Sequence, residues 1–357
     1  MSETIADFVV VGSSPLARLL AGLLSGTHGR RVIHVGQTRS AYRLARQIDL
    51  SIAPITRPES WALLGEGVTE TLRLIGRIAG RSAWSHVDPI FFSDAQRSVE
   101  ALSHIRHMAL GFGIAAEPTA PSLLGQGRTG ITLRDAVHLN RPILEPALEE
   151  WLPQVGVQRL APEEFIIEED GSAALKADNT IYRARQTILA DDDAIVSHLT
   201  HGHWPGLLRR HDAAAILTTA PEALATPVMQ DIHSGIILLQ QQEGAIAAIG
   251  PGDLAHVSGR ISRLLGEKRE IEQAGQTSFV SLATSDGAPA VGRLGSTGAD
   301  IVAGMGMTGI FLVPALARWL SNAALPQEAA WFGERLVSRT SGGAVTEYAP
   351  VTGSTPA

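Results

Sequence analysis

The stretch "DFVVVGSSPLARLLAGLL", residues 7–24, decides how the rest of the chain is read. Four apolar residues, Phe8 to Val11, run into Gly12. A turn of small residues follows, then leucines spread over several faces of a helix. Strand, tight turn and helix in that order open a nucleotide-binding β-α-β unit. The expected elements are a strand at 8–11, a helix from 15 to 26 and a strand from 31 to 35. The turn keeps Gly12 but has Ser14 where a second glycine lets backbone approach a diphosphate. Ala17 takes the third position, where alanine is tolerated. Pro15 suits the first helical turn, because its missing amide has no partner there anyway.

At 357 residues the chain is long enough for two interleaved lobes, and 45% hydrophobic with 18% charged residues describes a globular protein. A formal charge of −7 and no run of basic residues exclude an electrostatic nucleic-acid binder. The chain has no cysteine, which excludes disulfides, thiolate metal sites and a thiol nucleophile. Its start enters a strand almost at once without a basic leader, so the expected location is cytoplasmic. The longest uncharged stretch, Ile301 to Ala317, is broken by glycines and Pro314 and is no membrane span. "HLTHGHW" brings His198, His201 and His203 together, but without zinc-protease spacing; a polar loop is expected there and no metal.

Residues 58–80 and 93–112 carry helical periodicity, the second with Ser93 as expected N-cap. A helix from about Arg141 leads to a strand at 156–160. Then comes a β-meander turning at Asp170-Gly171 and ending in the apolar strand 187–190. Residues 213–250 alternate as strands, 254–275 read as helix, and "TSFVSLATSDGAPAVGRLG" as strand and turn. "ADIVAGMGMTGIFLVPALARWL" gives a strand, a glycine-spaced turn and a long helix opening near Gly309. The tail, 338–357, is Ser/Thr/Gly-rich and expected to be flexible.

The order of these parts resembles the D-amino-acid-oxidase-like flavoproteins, the glycine and sarcosine oxidase type, over nearly the whole chain. "FVVVGSSPLA" is similar to that family's first strand and glycine turn. "HLNRPILEPALEEWLPQVGVQRL" looks like its helix leading to a Gly-Val strand. "TILADDDAIVSHL" is similar to the segment closing its cofactor lobe. "TSDGAPAVG" followed by "VAGMGMTGIFLVPALARWL" resembles its C-terminal signature, the most specific of the four.

The resemblance implies an α/β fold in which a Rossmann-like FAD-binding lobe (1–60, 135–200 and 290–335) is interleaved with a mixed-sheet substrate lobe (61–134 and 201–289). It implies FAD-dependent oxidation of an amine or related C–N bond by hydride transfer to the flavin, a small-molecule substrate and no obligatory acid-base side chain. The cofactor-binding residues it implies are Gly12, Ser13, Ser14, Pro15 and Leu16 at the first turn; Gly36, Gln37 and Thr38 after the second strand; Ala190 and Asp191; and Gly304, Gly306, Met307, Thr308 and Gly309 at the last turn.

Several positions depart from the family pattern. Gly36 stands where an acid receives the ribose hydroxyls, leaving Gln37, Thr38 or Arg39 as substitutes. "RQIDLSIAPIT", 46–56, lacks a glycine in a stretch that relatives place against the diphosphate. "ADDDA" sets three acids where relatives have small residues, and Asp191 is either a capping residue or a charge opposed to the diphosphate. Ser281 stands where amino-acid oxidases carry a carboxylate-binding arginine. With Gln240 and Arg293 as the other pocket candidates, a simple α-amino acid is not the expected substrate. The alternative is a catalytically degenerate member, a structural or regulatory subunit of an oxidoreductase complex. A homo-oligomer or a partner oxidoreductase subunit fits either reading, and neither calls for nucleic acid or membrane.

Overall fold

The computed structural model describes residues 5–37, 43–219, 222–241, 244–265, 272–295, 297–340 and 347. The opening stretch folds as β1 (Ile5–Val11), α1 (Pro15–Gly26) and β2 (Val32–Val35). Ser14 is the N-cap of α1, its hydroxyl accepting the Ala17 N–H at 3.2 Å, and Pro15 follows in the first turn. Leucines all round α1 are explained by burial on every side: Leu16, Leu19, Leu20, Leu23 and Leu24 all lie in the main core.

β1 pairs in parallel with β2 on one side and with strand Thr180–Leu189 on the other. The sheet runs 290–293, 300–303, 180–189, β1, β2, 158–160, and only its 290–293 end strand on this path is antiparallel. The meander 164–167, 173–177 and 180–189 hangs from this sheet, with Gly171 at φ 86° in its first turn. A second, mixed sheet of eight strands runs 272–284, 208–219, 246–251, 237–240, 228–231, 90–93, 129–133, 116–118. A strand pair, 84–87 with 136–139, forms a small third sheet. The architecture is the expected α/β fold: a doubly wound parallel sheet with a mixed sheet inserted between its segments. Among the described residues no helix is long and apolar enough to cross a membrane.

Three local expectations are corrected. Ser93 does not cap a helix: "PIFFS" is buried strand, and the helix opens three residues later at Gln96. Ser93 instead accepts the Ala95 N–H at 3.1 Å within the link. The helix expected over 254–275 spans Leu254–Leu265, and 272–275 belong to a strand paired with 217–219. The α-helix expected from Gly309 begins at Val313, with Pro314 in its first turn; Gly306–Leu312 form a 3-10 turn instead. Gly304 and Gly306 sit at φ 66° and 58°, a conformation that side-chain-bearing residues adopt at a cost.

Helix Pro58–Ala79 crosses this last bend at Gly67, where an added Cβ would lie 2.4 Å from the Phe311 carbonyl oxygen. Thr71, one turn on, donates its hydroxyl to the same oxygen at 3.4 Å. Backbone cannot yield as a side-chain tip does. Gly67→Ala is therefore expected to destabilise by about 1–3 kcal/mol despite alanine's better helix propensity, read as a lowered denaturant midpoint at unchanged m-value.

Candidate functional site

The register of the parallel sheet builds the candidate site. Val11 of β1 lies opposite Leu189, so the chain beyond each strand, Gly12–Ser14 and Ala190–Asp193, leaves the sheet side by side. Asp191 reaches across: its Oδ2 accepts the backbone N–H of Ser13 at 2.7 Å and of Ser14 at 2.9 Å. Its Oδ1 accepts the Ala194 N–H at 2.9 Å, capping helix Asp192–His198, as one of the two expectations for this residue had it. A Cβ on Gly12 would fall 2.8 Å from Asp191 Oδ2, so glycine is required here to admit the carboxylate.

The other two acids point elsewhere. Asp192 Oδ2 accepts the Leu282 N–H at 3.0 Å and takes a hydrogen bond from the Ser281 side chain, both on the first strand of the mixed sheet. Asp193 receives Arg46 Nη1 on both oxygens, at 2.7 and 2.6 Å, and the Arg46 guanidinium lies 5.4 Å over the Phe279 ring. Three consecutive acids thus tie the first turn, the mixed sheet and the "RQIDLSIAPIT" segment to one helix start.

The end of β2 closes on the turn as well. Gly36 packs so tightly that a Cβ would lie 2.2 Å from the Gly12 carbonyl oxygen, so no acidic side chain fits there in this arrangement. Gln37 N–H donates to Ser13 Oγ at 2.9 Å, and its carbonyl accepts Arg18 Nη2 at 3.0 Å. Thr38 and Arg39 lie outside the described residues. His34, buried beneath the turn, donates Nε2–H to the Gly12 carbonyl at 3.0 Å. Burial, then the nearby Arg18 charge, hold its ring down to about 4, so it is neutral at physiological pH.

The C-terminal bend meets the first turn directly. A Cβ on Gly309 would fall 2.5 Å from Met305 Cβ and 3.1 Å from Leu16 Cδ1. Leu50 N–H donates to the Met307 carbonyl at 3.0 Å, while Thr308 is fully enclosed. The segment around Leu50 is held from behind by Ser51, paired with Val137, and by Asp49, which takes Arg141 Nε at 2.6 Å. Ile48, Leu50, Ile52 and Ile55 are all buried. They belong to one apolar cluster with Leu16, Met305, Phe311 and the inward residues Phe91, Val228, Leu239 and Ile249 of the mixed sheet. The two glycine bends meet at Leu16 and Gly309.

The remaining sequence candidates separate. Gln240 closes its own hairpin, donating Nε2 to the Gly244 and Ala245 carbonyls and accepting the Leu224 N–H. Ser281 lies three strands away and near the opposite end of the same sheet. Arg293 donates to Gln186 Oε1 in a cleft of about 480 Å3 in the parallel sheet, which Asp300, Arg30 and Trp319 also line. These three do not form one pocket. Ala190 is enclosed and donates its N–H to the Val11 carbonyl. Among the described residues no three histidine or carboxylate side chains converge as metal ligands.

A diphosphate-bearing cofactor does not fit this arrangement. The paired amides that would receive it already hold a carboxylate, whose charge repels a diphosphate. Gly36 admits no side chain, and the Leu50 segment is hydrogen-bonded onto Met307 of the last bend. What sequence reasoning missed was the destination of Asp192 and Asp193; three acids where relatives have small residues was the signal.

Asp192 carries a measurable consequence. Burial, and after it the neighbouring Asp191 and Asp193 charges, push its carboxyl up to about 7 against the hydrogen bonds from Leu282 and Ser281. The folded chain then holds a proton that the unfolded chain releases near pH 4, so this contribution is complete below pH 4 and is lost as pH rises to 7. Asp192→Asn removes the titration and keeps an acceptor for Leu282. Its stability relative to the parent is expected to improve between pH 4 and 8 by about 2 kcal/mol, less than the full shift because the side chain keeps some solvent contact. Denaturant melts of both proteins across that range check the sign; a pH-independent difference contradicts it.

No family model and no curated protein sequence matches this chain. Solved structures do. Glycine oxidase from Geobacillus kaustophilus superposes with a TM-score of 0.71 at 15% identity, over 94% of this chain and 99% of that one. L-proline dehydrogenase from P. horikoshii gives 0.70 at 16%, over 93% and 97%. NikD, an unusual amino acid oxidase essential for nikkomycin biosynthesis, gives 0.72 at 14%, over 97% and 99%. These neighbours are named for oxidising or dehydrogenating amino acids. At this identity the likeness concerns the backbone and extends over nearly the full length of each partner. The chain therefore has the fold of the D-amino-acid-oxidase-like oxidoreductases, the one its sequence motifs resemble.

Proposed function

We propose that this chain is a catalytically degenerate member of the oxidase fold, one that holds no flavin and serves as a structural or regulatory subunit of an oxidoreductase complex. The observation that carries this reading is the Asp191 carboxylate on the Ser13 and Ser14 amides. Those two donors are what a dinucleotide turn offers a diphosphate, and here they are satisfied from within the chain. Two further features agree with it: Gly36 leaves no room for an acid, and the buried segment 48–55 is hydrogen-bonded onto the last bend at Met307.

The kept glycines of the C-terminal bend are compatible with a scaffold. Gly309 lets the bend pack on Leu16 and Met305, and Gly304 and Gly306 hold positive φ. Close packing at Gly309 and backbone conformation at Gly304 and Gly306 are sufficient reason for all three.

The other reading is FAD-dependent oxidation of an amine or related C–N bond, on a small molecule other than a simple α-amino acid. The fold and the meeting of the two bends favour it. It requires Asp191 to leave both amides and the Leu50 segment to withdraw from Met307, at the cost of three hydrogen bonds and a continuous apolar contact.

Absorbance separates the two. The purified full-length protein is expected to be colourless between 350 and about 500 nm and to show no saturable uptake in a fluorescence titration with FAD. Flavin copurifying near one per chain, or saturable uptake of added FAD, refutes the non-catalytic reading.

A further inference from the structure

We propose that Asp191 is a resident anion, a tethered stand-in for a diphosphate, and that the acidic tripeptide it begins is the lock holding the groove shut. This rests on the reading that the wild-type groove takes no flavin. The Ser13 and Ser14 N–H groups converge on a single oxygen, the geometry of a backbone anion cradle at the start of a twelve-residue helix. Behind them Arg18, 1% exposed, pairs with Glu149 at 3.0 Å and lies 3.9 Å from Glu145, and Asp191 adds a smaller share to the balance of its charge; its Nε has no hydrogen-bond partner among the described residues. The cradle has the donor geometry of an anion site and is filled from inside the chain.

The tether decides the competition. A free diphosphate loses translational freedom on binding, whereas Asp191 is already held two residues beyond the parallel strand that pairs with β1. Its neighbours reinforce the position. Asp192 holds Leu282 of the mixed sheet and Asp193 holds Arg46, so the acid cannot swing away without loosening two other segments. Removing the Asp191 carboxylate alone leaves those anchors in place and exposes two adjacent amides with no acceptor. Such a cradle takes an inorganic or organic diphosphate, while the apolar packing beside Met305 still refuses a flavin ring.

The test is chemical rescue, read by thermal unfolding of the full chain with inorganic pyrophosphate as the probe. Asp191→Ala is expected to lower Tm by several degrees, and millimolar pyrophosphate to restore roughly half of that loss or more. Sodium chloride at equal ionic strength is expected to restore none, and the wild type to show no pyrophosphate shift. Asp191→Asn, which keeps an uncharged acceptor, is expected to fall between the two and to respond more weakly. An Asp191→Ala protein that pyrophosphate does not stabilise overturns the proposal, as does an equal shift in the wild type, which places the anion elsewhere. Should Asp191→Ala fail to fold, Asp191→Asn decides by the same criterion. FAD bound to the wild-type chain sinks the prior reading instead, and is seen by absorbance rather than by rescue.

Discussion

The backbone amides of a tight strand-to-helix turn point outward from the helix and need an acceptor. In this chain the acceptor is a carboxylate from the neighbouring parallel strand. Because Val11 and Leu189 share a register, Asp191 emerges beside Ser13 without any special loop geometry. One oxygen then satisfies two donors and the other caps the next helix, so a single side chain joins the ends of two strands and the starts of two helices. A charge-assisted bond of this kind is stronger than a neutral one and is partly shielded from salt, which lets the closed turn set the position of everything packed on it.

What packs on it is apolar. Leu16, immediately beyond the turn, meets Met305 and Gly309 of the C-terminal bend, and the Leu50 segment seals the junction through the Met307 carbonyl. The inner face of the mixed sheet joins the same cluster. In a doubly wound fold the region beyond the carboxyl ends of the parallel strands is where a ligand crevice forms. Here Leu16 of the first turn and Met305 pack against Gly309 at that place, where an added Cβ would collide with both.

Much of the fold was legible. The β-α-β opening follows from the apolar run of 8–11 and the leucine-rich helix after it, and the meander from alternation around Asp170-Gly171. "TSDGAPAVG" with the glycine bend marked the family likeness that the superpositions bear out. The misreadings have local causes. Ser93 looked like a cap because hydroxyls cap helices, but it ends a wholly buried strand whose apolar neighbours fix its conformation. Residues 272–275 continued a helical pattern in sequence, and pairing with 217–219 made them strand. The α-helix after the last bend starts at Val313 rather than at Gly309 because a tighter 3-10 turn precedes it.

Sequence by itself determined the elements, their order and the departures from the family pattern at Ser14, Gly36 and three consecutive acids, because propensity, periodicity and charge are properties of short stretches. It left open whether Asp191 caps a helix or opposes a diphosphate. Only the tertiary structure decided that, and the answer is that it caps the helix and accepts the Ser13 and Ser14 amides at once. The reason is physical: a hydrogen-bond partner 177 residues away is chosen by strand register and distance, and neither is written in the residues nearby.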